Sequence, residues 1–322
     1  MTTENATPHA VHVRPMWPGE IVELSHVTLH VRRTPALASP EGIGVFIHGL
    51  GGAATNWTDL MGAFEDRIEG FAPDLPGFGR SEPRRDGDFS LAGHTRTIID
   101  FLEHLAAQGK TPVHLFGNSL GGAVATRVAA LRPDLVRTLT LVSPALPSFR
   151  PRLNSAHHLP LLATPVLGDR LARTLARRTP EKQVTDTMRL CFADPASVPR
   201  QRWEESVAEA TRRGGLAWSQ QALRWSLRGL ITGYLERGPN SLWAMAARVQ
   251  APTLLVYGMK DKLVDPRTSR RAARTFPNNR LIILPFSGHV AQMEHFEIVA
   301  RAVAELLSLR IGAAPLSNPH EE

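Results

Sequence analysis

The sequence predicts an α/β fold in which helices cover both faces of a mostly parallel sheet. The first observation is that short apolar runs, typical of strands buried on both faces, alternate with segments of helical spacing in the first half of the chain. The second is that this alternation stops near Pro147 and resumes near Thr253, with helix-like pieces between them. The third is the length, since 322 residues suit one large domain that carries an insertion.

The elements before the insertion follow one another in a regular order. Strands are predicted at residues 20–24, 27–31, 44–47, 68–73, 113–116 and 135–142, and helices at 55–64, 91–108 and 120–131. The first two strands alternate polar and apolar residues, which indicates a half-buried antiparallel hairpin. In the remainder, strand and helix alternate, which predicts parallel strands joined by right-handed crossovers.

One turn in this order carries a motif with chemical meaning. The apolar run 113–116 ends in Gly-x-Ser-x-Gly, with Gly117 and Gly121 flanking Ser119, and helical spacing follows until Pro133. A turn this tight forces the serine into strained backbone angles and leaves no room for side chains beside it. The hydroxyl is expected at the apex of the turn, near the free N–H groups of a helix N-terminus. That is the geometry a nucleophile needs.

Residues 147–249 are predicted to form a helical insertion over the edge of the sheet. They show no convincing strand, and they hold four of the six tryptophans, Trp203, Trp218, Trp225 and Trp243. Strands at 253–258 and 280–284 and helices at 268–275 and 290–309 then complete the core. The predicted organisation is a disordered tail at 1–18, a core in two parts at 19–146 and 250–310, the insertion at 147–249, and a loose tail at 311–322.

The chain is basic, with a formal net charge of +7 and a pI near 10.4. The excess lies in the insertion, where residues 150–248 carry 16 Lys and Arg against 8 Asp and Glu. No nucleic-acid-binding motif accompanies it, so a nucleic acid partner is not expected. The simplest interpretation is a solvated, arginine-rich surface. Steering of anionic substrates, or a weak attraction to anionic membranes, is the alternative.

The cysteine content and the hydropathy of the chain predict the cellular compartment of the protein. Cys191 is the one cysteine, so an internal disulfide is excluded and a reducing, cytoplasmic environment is expected. The first 18 residues lack the apolar core of a secretory signal. Because no run approaches the roughly 20 apolar residues of a membrane span, stable membrane insertion is not expected.

Five motifs occur in sequence at predicted strand ends: His48-Gly49-Leu50-Gly51-Gly52, Asp74-Leu75-Pro76-Gly77-Phe78-Gly79-Arg80-Ser81, Gly117-Asn118-Ser119-Leu120-Gly121-Gly122, Gly258-Met259-Lys260-Asp261 and Ser287-Gly288-His289. With these motifs the chain resembles the α/β-hydrolase superfamily across residues 20–309. The resemblance implies a mostly parallel eight-stranded sheet, an inserted helical cap and a serine nucleophile.

The chemistry of acyl transfer independently assigns the roles of nucleophile, base and acid to residues of these motifs. A serine hydroxyl is a poor nucleophile unless a base removes its proton, and the base needs an orienting carboxylate. Ser119 is therefore the expected nucleophile and His289, on a loop after a strand, the expected general base. Asp261 lies three residues beyond the strand-ending Gly258 and is the expected acid. The chain order Ser, Asp, His agrees with the superfamily.

Each role has a rival in the sequence. Asp265 could replace Asp261, although its distance from Gly258 is less suitable. His295 could replace His289, but it lies in a helical pattern. Cys191 has no neighbouring base. The other candidate histidines, which are expected to be structural, are His48, His94, His104 and His114.

The resemblance also implies an oxyanion hole made by the backbone N–H groups of Leu50 and Leu120, where side-chain identity matters little. The candidates for pocket lining are His48, Gly49, Gly51, Asn118 and Val290, with Asn118 more plausible as a scaffold residue. The sequence has no metal-binding, phosphate-loop or dinucleotide motif, so no metal and no cofactor are expected.

The expected activity is hydrolysis of a small or medium carboxylic ester with a largely apolar substrate, through an acyl-enzyme on Ser119. The alternative is a carbon–carbon bond hydrolase of the meta-cleavage type, which residues 117–122 and 291–295 resemble. Val290 and Gly79 depart from that subfamily, which places tryptophan and often asparagine there. Perhydrolysis as a side reaction and a non-catalytic ligand-binding role complete the alternatives. The partner is a small-molecule substrate, and the protein is expected to be a monomer or a homodimer.

Overall fold

The computed structural model describes residues 14–148, 164, 168, 170 and 177–307. Within these residues one sheet of eight strands has the order β1-β2-β4-β3-β5-β6-β7-β8. The strands are β1 Gly19–Leu24, β2 Val27–Arg33, β3 Gly42–Ile47, β4 Ile68–Pro73, β5 Val113–Asn118, β6 Val136–Val142, β7 Thr253–Gly258 and β8 Asn279–Leu284. β2 pairs antiparallel with β1 and β4, and every other pair is parallel. The predicted α/β fold with a mostly parallel sheet is confirmed.

The α-helices of the described residues are numbered here in chain order. They are α1 Thr58–Gly62, α2 Leu91–Ala106, α3 Leu120–Leu131, α4 Pro180–Cys191, α5 Arg200–Gly214, α6 Ser219–Leu235, α7 Leu242–Ala246, α8 Thr268–Thr275, α9 Ala291–Glu294 and α10 Phe296–Leu306. Helices α4 to α7 lie between β6 and β7, and the described residues 177–249 are called the inserted segment below. No helix of the described residues has both the length and the apolar character needed to cross a bilayer.

Two apolar cores, one on each face of the sheet, follow from the period-two alternation of strand side chains. On β3 and β5, Val45 and Leu115 belong to one core, and Phe46 and Phe116 to the other. The first core includes residues of α2, α3, α7 and α8, and the second includes residues of α1 and α10. Burial on both faces explains why the central strands read as continuous apolar runs.

Most predicted element ends lie within about three residues of the observed ones, and two predictions fail by more. The last helix was expected to be continuous from residue 290, but it divides into α9 and α10 at His295, whose φ of −142° and ψ of 50° are not helical. The disordered tail was expected to extend to residue 18, but Trp17 is buried, and its indole N–H donates to Thr58 O at 3.0 Å. Burial of this large ring fixes the chain before β1. Residues 1–13 of the predicted N-terminal tail, and the whole predicted tail at 311–322, lie outside the described residues.

Candidate active site

The chain turns sharply from β5 into α3 at Ser119. This serine has φ of 54° and ψ of −118°, a backbone conformation that residues other than glycine rarely adopt. A Cβ on Gly117 would lie 2.5 Å from Gly121 O, and a Cβ on Gly121 would lie 2.3 Å from Ile47 O. The two glycines are therefore required by close backbone contacts, as the motif predicts.

The glycine-rich loop after β3 lies against this turn. A Cβ on Gly49 would be 3.1 Å from Ser119 Cβ and 3.0 Å from Asn118 Oδ1. Within the part of the chain that the structure describes, the N–H groups of Leu50 and Leu120 donate to no acceptor. The Leu120 N–H belongs to the first turn of α3, where helical donors have no partner in their own helix. Two free N–H donors are therefore held on neighbouring segments beside the serine.

His48 supports this loop through two hydrogen bonds to the backbone. Its side chain is fully buried, its Nδ1–H donates to Gly49 O at 2.7 Å, and its Nε2 accepts from the Leu75 N–H at 2.9 Å. Burial lowers the pKa of His48, with a smaller opposing effect from Asp74. The ring is therefore neutral, with its proton on Nδ1. These contacts agree with the expectation that His48 is a structural residue.

Asp74, the first residue of the motif 74–81, joins two loops, a role that the motif alone does not predict. Its Oδ1 accepts from Ala54 N–H at 2.7 Å, and its Oδ2 accepts from Arg80 N–H at 3.0 Å and from His30 Nδ1 at 2.8 Å. Burial alone would raise the pKa of Asp74, but the His30 hydrogen bond and the N–H donors lower it below its usual range. A permanently ionised carboxylate thus fixes residues 48–54 to the loop 74–81. The motif 74–81 marks Asp74 as a residue of interest, but it cannot identify its partners, which lie far away in the sequence.

Asp261 and His289, the residues predicted to act as acid and base, form a buried pair. His289 Nδ1 donates to Asp261 Oδ2 at 2.9 Å, and both residues are less than 5% exposed. Asp261 Oδ1 accepts from the N–H groups of Leu263 at 2.8 Å and Val264 at 2.9 Å. Burial by itself would raise the pKa of Asp261, but His289 and the two amide donors lower it. Because the ionised carboxylate holds the Nδ1 proton, Nε2 is the nitrogen left to accept a proton.

Asn118 connects this pair to the serine turn. Its Nδ2 donates to Val142 O at 3.0 Å and to His289 O at 3.1 Å, and it is 4% exposed. The residue directly before Ser119 is thus hydrogen-bonded to the backbone of His289, 171 positions further on. The loops that carry Ser119, His289 and Asp261 therefore meet at one edge of the sheet. The expectation that Asn118 is a scaffold residue agrees with these contacts.

The rivals to these residues lie in other environments. Asp265 binds the guanidinium of Arg267, with its two oxygens 3.0 and 2.8 Å from Nε. Burial raises the pKa of the Cys191 thiol to about 12, so this side chain stays protonated. His295 occupies the break between α9 and α10. The remaining histidines bond elsewhere: His94 to Ser226 at 2.8 Å, His104 to Gln108 at 2.8 Å and His114 to Thr138 at 2.9 Å.

A cavity of about 150 Å³ opens beside the glycine-rich loop, between the core and the inserted segment. Its lining residues are Gly51, Gly77, Phe78, Gln183, Ala210, Arg213, Gly214, Leu216, Ser219, Gln220 and Leu223. Of the five predicted lining residues, Gly51 lines this cavity, whereas His48, Gly49, Asn118 and Val290 do not. The candidate catalytic residues Ser119 and His289 do not line it either. Val290 packs instead in a small apolar cluster with Val184, Met188 and Phe192. The cavity meets the serine turn through the loop that carries Gly51.

Three arginines of the inserted segment hold it to the core. Arg213 Nη1 donates to Gly51 O at 2.8 Å, and Arg212 Nη2 donates to Gly79 O. Arg202 Nη2 pairs with Asp59 Oδ1 at 2.6 Å, and its side chain is 8% exposed. The expectation of a solvated, arginine-rich surface is wrong for these residues. A charge count cannot distinguish a solvent-exposed arginine from one whose guanidinium group bonds to a carbonyl or carboxylate of a distant loop.

Metal chemistry would need a cluster of ligands. Among the residues that the structure describes, no group of three or more His, Cys, Asp or Glu side chains could hold a metal ion. The pair of His289 and Asp261 is bonded to each other and to backbone amides. The chemistry available from these residues is proton transfer and nucleophilic attack by a hydroxyl.

Comparison with known proteins gives both sequence and structural relatives. The dihydrolipoyllysine-residue acetyltransferase component of the acetoin cleaving system of Pseudomonas putida is 30% identical over 82% of this chain and 62% of that protein. The 2-hydroxy-6-oxo-6-(2'-aminophenyl)hexa-2,4-dienoic acid hydrolase of Metapseudomonas resinovorans is 27% identical over 83% of this chain and 84% of that protein. The crystal structure of a membrane phospholipase A matches with a TM-score of 0.73 at 21% identity, over 90% of this chain and 86% of that chain.

These comparisons agree on the fold while the relatives differ in what they act on. The chain spans only 62% of the length of the acetyltransferase component. The sequence model described as the alpha/beta hydrolase fold matches residues 45–296, more than three quarters of the 322 residues. The matched span includes every segment of the site built above. The chain belongs to the alpha/beta hydrolase fold family.

Proposed function

We propose that the protein is a serine hydrolase that cleaves a carboxylic ester through an acyl-enzyme on Ser119. The observation that carries this proposal is the 2.9 Å bond between His289 Nδ1 and Asp261 Oδ2, on a loop bonded through Asn118 to the serine turn. A hydroxyl on a strained turn, an imidazole with its second nitrogen free and a buried carboxylate are the parts of an acyl-transfer site.

In this mechanism, Ser119 Oγ attacks the ester carbonyl carbon while His289 Nε2 takes the hydroxyl proton. The tetrahedral intermediate collapses when the same imidazolium returns the proton to the departing alkoxide, which leaves as an alcohol. Water then attacks the acyl-enzyme, with His289 again removing a proton, and the acid is released as Ser119 is restored. Asp261 stays ionised throughout and stabilises the imidazolium.

The oxyanion of the intermediate would be bound by the N–H groups of Leu50 and Leu120. Both donors are free in the described structure, and both belong to segments fixed by close backbone contacts. Donors that need no reorganisation are worth about 3–4 kcal/mol each in the transition state. The bonds from His48 and Asp74 support this role, because they fix the loop before any substrate arrives.

The substrate is proposed to be small or medium in size, bound between the sheet edge and the inserted segment, which would act as a cap. A cavity of about 150 Å³ lies between the core and this segment beside the glycine-rich loop, and neither Ser119 nor His289 lines it. Its lining mixes apolar side chains, such as Phe78 and Leu223, with polar ones, such as Gln183 and Arg213. The single cysteine supports a cytoplasmic location.

A carbon–carbon bond hydrolase of the meta-cleavage type is the second candidate. It is favoured by the 27% identity to a dienoic acid hydrolase and by Arg213 in the cavity, since such substrates carry a carboxylate that an arginine can pair with. Val290 and Gly79 remain the departures from that subfamily. The ester is preferred because of these two departures, since both reactions would use the same serine, histidine and aspartate.

The test is a panel of p-nitrophenyl esters graded from acetate to palmitate, run beside a meta-cleavage dienoate. We expect turnover that is highest for short acyl chains and lost in Ser119→Ala. Preference for the dienoate by orders of magnitude would replace the first candidate by the second. Equal rates for wild type and Ser119→Ala, or no turnover of any substrate with tight binding of one, would favour a non-catalytic ligand-binding role.

A further inference from the structure

The end of helix α4, in the inserted segment, is bonded directly to both loops of the candidate acid–base pair. His289 N–H donates to Cys191 O at 2.7 Å. Lys262 Nζ, next to the acid, donates to Arg189 O at 2.6 Å and more weakly to Phe192 O at 3.5 Å. The last carbonyls of a helix have no partner within the helix, so they are available to such donors. The inserted segment therefore contacts the loop of the base as well as the substrate cavity.

The loop that precedes His289 is enclosed on two sides. A Cβ on Gly288 would lie 2.5 Å from Cys191 O and 2.7 Å from Ala193 N, so α4 is in direct backbone contact with it. On the other side, a Cβ on Gly258 would lie 2.0 Å from Gly288 O, so the end of β7 is equally close. A loop held this tightly moves only if the inserted segment or the strand moves with it.

Glu294 joins the two sides. One carboxylate oxygen, Oε1, accepts from Gly288 N–H at 2.8 Å and from Ser287 Oγ at 3.3 Å. The other oxygen, Oε2, accepts from Ala193 N–H at 2.8 Å. The side chain is partly buried, where bonds to a charged acceptor are stronger than those between neutral groups. One carboxylate thus ties the segment just before His289 to the residues just after α4.

We propose that Glu294 is a positioning residue for His289, acting by locking the loop 287–289 to the end of α4. The inserted segment then has a second task besides shaping the cavity, because its docking sets where the imidazole stands relative to Ser119. This inference rests on the proposed function, in which His289 is the general base. Glu294 touches neither substrate nor the reacting atoms, and it acts only through the loop.

A carboxylate suits this position because both of its oxygens accept. Three donors, two backbone N–H groups and one hydroxyl, meet two oxygens, and both oxygens must accept. In Glu294→Gln the shape is kept, but one oxygen becomes an NH₂ group that faces an N–H donor, so one of the two links is lost. Displacing a catalytic group by about 1 Å can cost about 100-fold in rate.

The experiment compares Glu294→Gln with Glu297→Gln, which alters an exposed glutamate three positions away. The substrate is p-nitrophenyl butyrate, and the labelling probe is a fluorophosphonate that reacts with Ser119. We expect Glu294→Gln to lower kcat and the labelling rate between about 10- and 100-fold, with KM within about threefold of wild type. Glu297→Gln should match wild type in all three.

A third variant, Arg202→Met, separates positioning from general loosening of the inserted segment. It breaks the ion pair with Asp59 while leaving the contacts of Glu294 intact. We expect it to lower the Tm more than Glu294→Gln does and to lower kcat less. If Glu294→Gln keeps kcat within twofold of wild type, or if kcat follows the Tm in both variants, the positioning role is wrong. Failure of the proposed function is a different result, in which Ser119→Ala retains turnover and labelling.

Discussion

Replacing Gly121 by alanine tests how closely the glycine-rich loop must approach the start of α3. A Cβ at this position would lie 2.3 Å from Ile47 O and 2.5 Å from His48 O. Carbon and oxygen need more than 3 Å between them, so the end of β3 and α3 must separate by about 1 Å. The atoms that block the methyl group are backbone, which cannot turn aside as a flexible side chain could.

The separation should affect stability and catalysis to different extents. Forcing a methyl group into a close-packed region costs about 1–3 kcal/mol, which lowers the Tm by a few degrees in a protein of this size. The same movement carries the Leu50 N–H away from the Leu120 N–H, one on each side of the gap. Since one oxyanion donor is worth about 100- to 1,000-fold in kcat, we expect a loss of at least about 100-fold.

The assay is steady-state hydrolysis of p-nitrophenyl butyrate with thermal unfolding of the same samples. Gly215→Ala is the matched control, because φ there is −83° and a Cβ would meet only Arg212 O, at 3.5 Å. The control should keep wild-type kcat and gain slightly in Tm from the reduced freedom of the unfolded chain. Wild-type kcat in Gly121→Ala would refute the argument that the two donors are held by this contact.

Three further results are expected. Asp261→Asn should lower kcat by about 10⁴-fold, because an amide cannot hold the imidazole of His289 in the required tautomer. If this variant keeps a tenth of the wild-type activity, Asp261 is not the acid. Ser119→Gly should unfold at a higher temperature than Ser119→Ala, since glycine adopts a φ of 54° without strain, and the reverse order would contradict it. Burial lowers the pKa of His94 to about 3. The unfolded state therefore binds a proton below pH 6.5 that the folded state does not, so stability falls by about 1.4 kcal/mol per pH unit from pH 6.5 downward. Between pH 7.5 and 5, the Tm of His94→Gln should fall less than the Tm of the wild type. An equal fall in Tm would refute this assignment.

The features that the sequence predicts well are those that neighbouring residues decide. Helix α3 and the turn at Ser119 follow from apolar spacing and two glycines within five positions, and the structure has both where the sequence places them. Strand β4 and helix α8 also have the predicted bounds. Here local propensity and tertiary packing require the same conformation.

Features decided by distant partners were not predictable in the same way. Asp74 binds donors 20 and 44 positions earlier in the chain, and Asn118 reaches across 171 positions to His289 O. The helix breaks at His295 although the sequence shows a continuous helical pattern there. The break comes directly after Glu294, which bonds to the loop of His289. No window of spacing contains such information, because each of these contacts exists only after the sheet has brought strand ends together.

The inserted segment illustrates why composition alone misjudges a role. Its positive surplus suggested a surface property, but Arg213 donates to Gly51 O in the glycine-rich loop, and the end of α4 accepts from His289 N–H. The segment therefore holds two loops, that of the proposed oxyanion donor Leu50 and that of the proposed base His289. If catalysis depends on these preorganised groups, as we propose, the docked position of this segment contributes to it besides covering the substrate. A variant that removes the bond from the segment to either loop should therefore lower kcat before it raises KM, because both loops contribute mainly in the transition state.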